Sequence, residues 1–145
     1  VYECLKKQVL SSRFLCDAVL KIFGNDQSEE IFGLICLDSK NYISGVFEVS
    51  RGSLSSAVVH PREVFKRALL CNANSVAVFH FHPSGDPSPS GQDIALTKIL
   101  IDSGDLLNIK LIDHIIIAGV NVLSPDCGFA EYYSFKDHGR LYGCS

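Results

Sequence analysis

No apolar stretch of the sequence approaches the roughly 20 residues that a membrane-spanning helix needs, which excludes a chain that crosses a bilayer in that way. The first residues, VYECLKKQVLSSRF, lack the basic, then apolar, then small-residue order of a secretory leader. They also lack an initiator methionine, as expected of a fragment or a processed chain. Cysteines stand at 4, 16, 36, 71, 127 and 144 without a single C-x-x-C pair, so a cysteine-based zinc knuckle is not expected. Several lie inside apolar runs, and the expectation is buried free thiols in a reducing cytoplasm. There is no basic stripe either: the net charge is −3, so electrostatics does not point to nucleic acid as the partner.

What is present fits one soluble globular domain. The 145 residues are 47% hydrophobic and 20% charged, a balance that can bury a core and is unlike a disordered chain. No internal repeat or linker divides it. Residues 1–27 are expected as a helical lead-in to a single globular unit over 28–145.

Apolar spacing over 3–22 predicts a helix closed by Gly24. IFGLICL (31–37) reads as a buried strand, DSKN as a turn, and YISGVFEV (42–49) as the hairpin partner. Residues 60–73 read as a helix with Pro61 in its first turn and Glu63 at the positive dipole end. SVAVFHFH (75–82) is strand-like, and 90–104 form a second helix that ends on glycine. IKLIDHIIIAG (109–119) is a core strand, with 121–125 pairing to it through a turn at Gly119 to Asn121. The order predicts a mixed sheet covered by helices, in the α/β or α+β range.

The segment HFHPSGDPSPSGQD (80–93) carries the chemistry. One reading of it is bland: Ser90 and Asp93 cap the following helix, three prolines keep the loop extended, and two histidines punctuate a strand end. Strand geometry offers another. Residues i and i+2 point to one side about 7 Å apart, so His80 and His82 can address one point while Phe81 turns to the opposite face. Asp93, in the first helical turn, can swing its carboxylate back toward them. Two imidazoles and a carboxylate are a three-ligand set typical of catalytic zinc, with a fourth position for water.

These residues resemble the H-x-H-x(7)-S-x(2)-D signature of JAMM/MPN-type metalloproteases, and HPREVFKRALLCNA, HPSGDPSPS and LIDHIIIAG look more narrowly like its RadC-like branch. The resemblance covers about residues 28 to 142. It implies a cytidine-deaminase-like three-layer fold, a curved mixed sheet between helices. It further implies Zn2+ held by His80, His82 and Asp93, Ser90 hydrogen-bonding a developing oxyanion, and an upstream glutamate as general base. In that branch asparagine usually stands between the histidines, where this chain has Phe81, so the cleft wall is expected to differ.

Six glutamates are available, at 3, 29, 30, 48, 63 and 131. Glu48, in the second hairpin strand, resembles the family's base position and is the candidate; Glu63 is the runner-up, with a structural role at its helix end. His60 is expected to cap or pack, and His114 to be a satisfied core histidine beside Asp113. Asp86 is a turn former near the site, and Arg51 and Arg62 are solvated cations able to meet an extended substrate. The implied activity is metal-assisted hydrolysis of a peptide or isopeptide bond in a protein substrate, in the cytoplasm. The alternatives are a DNA-repair accessory or nuclease, with DNA contacted through an upstream helix-hairpin-helix region, and a non-catalytic interaction module.

Overall fold

The computed structural model describes residues 7–24, 29–52, 59–118 and 131–142. Among the described residues, three helices and five strands run in the order α1 (Ser12–Phe23), β1 (Ile31–Leu37), β2 (Ile43–Arg51), α2 (Pro61–Leu70), β3 (Ser75–His82), α3 (Gly91–Leu107), β4 (Lys110–Ala118), β5 (Tyr132–Ser134). The five strands form one mixed sheet in the order β2-β1-β3-β4-β5. Only β3 and β4 are parallel; the other neighbours are antiparallel. The fold is therefore α+β, as expected.

Side-chain alternation along the strands divides the core between the two faces. On one face α1 places Leu15, Cys16, Ala18 and Val19 against Ile35, Ala77, Phe79, Phe81, Ile115 and Ile117. On the other, Val64, Phe65 and Ala68 of α2 and Leu100 of α3 cover Phe32, Leu34, Val76, Val78 and Leu111. Cys16 and Cys36 are buried free thiols, and Cys71 is a partly buried one. No described helix is long and apolar enough to cross a membrane.

Local chemistry moves several expected boundaries. α1 starts at Ser12 rather than residue 3, because the Ser11 hydroxyl caps the helix by accepting from Phe14 N. Ahead of it, Gln8 pairs with Tyr42 as an isolated bridge. α3 does not stop at Gly104 but runs to Leu107 and turns at Asn108, whose φ of 58° supplies the left-handed cap. Gly104 serves a close approach instead: a Cβ there would stand 2.3 Å from the Ile109 carbonyl oxygen. α2 ends at Leu70. His60, at its start, makes no side-chain cap bond and is exposed, so it neither caps nor packs. The expected pairing of 121–125 with β4 lies outside the described residues; the described antiparallel partner of β4 is β5, with Ile117 opposite Tyr132.

One connection positions the site. β3 and β4 are parallel, so the chain must cross back between them, and α3 makes that crossover. The start of α3 is thereby carried to the carboxyl end of β3, where open sheets place their ligands.

Candidate metal centre

β3 ends in the alternation Phe79-His80-Phe81-His82. Phe79 and Phe81 enter the α1 face, their rings edge-on with centroids 6.2 Å apart, so Phe81 lies on the far side of the sheet from the histidines. His80 and His82 emerge together on the other face, ring centroids 4.5 Å apart. Ser90 caps α3 in a reciprocal box: Asp93 N donates to Ser90 Oγ (3.1 Å) and Ser90 N donates to Asp93 Oδ2 (2.8 Å). The cap therefore fixes the carboxylate that the site uses. Asp93 Oδ1 lies 3.3 Å from His80 Nδ1, and Oδ2 lies 3.2 Å from His82 Nε2.

One ligand atom from each of His80, His82 and Asp93 falls within 4.8 Å of the other two, and no other group of three such residues forms among the described residues. This trio could hold a metal ion. His80 is buried, and neither of its ring nitrogens has a hydrogen-bond partner, an unfavourable state that coordination would relieve. His82 Nδ1 lies 3.0 Å from the Asp86 carbonyl; donating there, it leaves Nε2 as the free lone pair on the Asp93 side. Asp86 is in turn held by Ser88 N, which donates to its carboxylate. Two nitrogens and a carboxylate oxygen suit zinc.

The charges agree with this arrangement. Burial opposes ionisation of Asp93, yet the flanking imidazoles and the Ser90 N–H outweigh it and hold the carboxyl well below the usual range. Asp93 in turn raises the pKa of His82 against the effect of burial, with smaller help from the Asp86 carbonyl and from Glu30.

Glu48 is not brought to this centre. It pairs with Gly33, which pairs with Phe79, so it belongs to the α1 face. Its carboxylate is taken by Arg51, at 2.9 Å from Nε and 2.6 Å from Nη2. An irregularity in the β1/β2 register between Phe32 and Gly33 skips Val49 and puts Ser50 beside the Phe32–His80 pair. Glu63 lies on α2 with Lys66 and Arg67 and is pulled below its ordinary pKa chiefly by the hydrogen bond from Lys66. Arg62 is exposed, and His138 stacks on Tyr133 at 4.0 Å.

Sequence reading passed over Glu30. The Phe32–His80 register, continued by two residues, would bring Glu30 opposite His82, whose pKa Glu30 helps to raise, and its backbone is fixed by Gly52 N, which donates to the Glu30 carbonyl (2.9 Å). Its parity with Phe32, at the start of the strand beside the histidine strand, was the available signal.

A mixed sheet with two imidazoles at a strand end and a carboxylate on the crossover helix defines a domain whose site could hold a metal ion. The comparisons agree: residues 10–140 match the RadC-like JAB domain, and the chain belongs to that family. It is 47% identical over 114 residues to a UPF0758 protein of Methanosarcina barkeri, covering 79% of this chain and 45% of that protein. It is 42% identical over 117 residues to a UPF0758 protein of Clostridium beijerinckii, covering 81% of this chain and 47% of that protein. The chain thus spans about half the length of the curated relatives it matches.

Proposed function

We propose that this domain is a zinc-dependent hydrolase of peptide or isopeptide bonds, with His80, His82 and Asp93 as ligands and Glu30, rather than Glu48, as general base. The observation that carries the reading is the convergence of two imidazoles and a strongly ionised carboxylate, from separate elements, within 4.8 Å. A zinc ion held there would acidify a water and polarise a carbonyl. Glu30, opposite His82, would accept the water's proton and return it to the departing amine. Ser90 Oγ is used as an acceptor by Asp93 N, so its hydroxyl proton stays available to donate to the developing oxyanion.

The test is metal content and turnover on peptide and lysine-linked isopeptide substrates. The wild type should carry about one zinc per chain through this three-ligand site. Glu30→Gln should keep the zinc and lose about 100- to 10,000-fold in turnover, the range of general acid–base catalysis. Glu48→Gln should keep both. Full turnover in Glu30→Gln would remove it from the mechanism, and a wild type that takes up no metal would end the hydrolase reading.

A further inference from the structure

His114 has no part in the chemistry above, yet its surroundings are unusual for a core histidine. It is fully buried on β4, opposite Val78, on the same face as His80. Its ring is clamped flat against Phe135, centroids 4.7 Å apart at 5° between planes, and edge-on to Phe32 at 5.9 Å. Phe32 also touches His80, at 6.2 Å. The two histidines therefore share one buried compartment walled by the same phenyl ring.

Hydrogen bonds fix the tautomer. Thr97 Oγ1 lies 2.7 Å from the Asp93 carbonyl oxygen, one turn back on α3, and 2.6 Å from His114 Nδ1. A carbonyl cannot donate, so the single Thr97 proton goes to Asp93. The short contact to His114 then requires a proton on Nδ1. Burial, first, and the nearby His80 keep the ring neutral, with a pKa pushed down to about 3. A neutral ring protonated at Nδ1 presents a bare lone pair at Nε2, and that atom is buried without a partner.

His80 has the complementary need. Its Nδ1 is the nitrogen facing Asp93 Oδ1. If Nδ1 ligates, Nε2 keeps the proton, and histidine ligands nearly always give that second N–H to an acceptor. Nε2 of His80 is likewise buried without a partner.

We infer that His114 is a positioning residue for the metal centre: its Nε2 accepts the Nε2 proton of His80 through one bridging water, while its Nδ1 proton, through Thr97, fixes the Asp93 turn of α3. One neutral imidazole thereby orients ligands on two elements, β3 and α3. This rests on the metal reading proposed above.

Two measurements on the whole chain decide it. Nitrogen-15 NMR of the wild type should show His114 neutral and protonated at Nδ1, independent of whether any variant folds; the Nε2-protonated form would overturn the inference. Zinc affinity by competition with a chelator should fall roughly 10- to 100-fold in Thr97→Val and in His114→Phe, which keeps the stacked ring, and recover in Thr97→Ser. The visible spectrum of the cobalt-loaded protein should shift in the same two variants and return in Thr97→Ser. Unchanged affinity and spectrum in both, with the wild type binding zinc through His80, His82 and Asp93, would sink the positioning role alone. A wild type that binds no cation would sink the metal reading and this inference with it.

Discussion

Asp93 and Asp113 are two buried aspartates on opposite sides of one sheet, and their surroundings drive them in opposite directions. Burial raises the pKa of both. At Asp93, two imidazoles and an N–H reverse it. At Asp113 the partners are neutral: Oδ2 accepts from Ser134 Oγ (2.7 Å), and Oδ1 accepts from His114 N (2.8 Å) and Lys136 N (3.1 Å). Those bonds only moderate the effect of burial, Asp137 adds repulsion, and the pKa stands at about 6. The difference teaches that a buried carboxylate marks a candidate cation site only where its neighbours favour its charge. Asp113 is a clasp that fastens β5 and the following turn to β4.

The comparison breaks most decisively at Phe81, which belongs to the Asp113 face although it lies between the two histidines. Phe81→Ala should cost about 3–5 kcal/mol of stability, as a large buried ring does, and leave zinc affinity as it was. Denaturant unfolding and chelator competition read the two effects separately. A folded Phe81→Ala protein with much weaker zinc binding would show that the two faces are not independent.

Next comes the pH dependence of the clasp. The folded state raises the Asp113 pKa from 3.8 to about 6, so the folded protein binds the proton more tightly than the unfolded chain. Its contribution is then fully present below about pH 4 and is lost as pH rises through 6, the opposite sense to a carboxylate whose pKa is lowered. The displacement corresponds to roughly 3 kcal/mol. Asp113→Asn, which cannot ionise, should gain on the wild type by up to about that amount between pH 4.5 and 7.5, because the remaining titrations are common to both chains. Parallel stability profiles would show that Asp113 ionises normally in its clasp.

The sequence made the elements and the metal trio legible because both rest on local rules. Alternation in FHFH sets two imidazoles on one side, and the Ser90-to-Asp93 spacing is a capping box whether or not it serves a metal. The bland reading and the geometry that the chemical one requires are compatible, since the cap itself holds the Asp93 carboxylate beside the two imidazoles. What stayed hidden depends on pairing between strands. Glu48 reads as cleft-facing until its pairing with Gly33, opposite Phe79, sets its side, and Glu30 has no distinguishing mark until β1 is known to lie antiparallel beside β3. His114 was legible as a core histidine, but not as one whose Nε2 lacks a partner, and its hydrogen bond to Thr97 joins positions 17 residues apart and exists only once α3 packs on β4. Gly104 misled because a helix-ending glycine and a glycine admitting a close backbone approach look alike in one dimension.

The smallest effect separates the observed job of Ser90, capping, from the proposed one, donation to the oxyanion. As an N-cap its oxygen accepts from Asp93 N, and replacement by alanine should cost about 1 kcal/mol of stability, whereas glycine at that position costs only a few tenths. As a donor to the oxyanion its proton is missing equally in both variants. Ser90→Gly should therefore stay close to the wild type in thermal unfolding and still lose on the order of 100-fold in turnover, in step with Ser90→Ala. If turnover instead follows stability, with glycine near wild type and alanine impaired, Ser90 acts only by holding Asp93 in place.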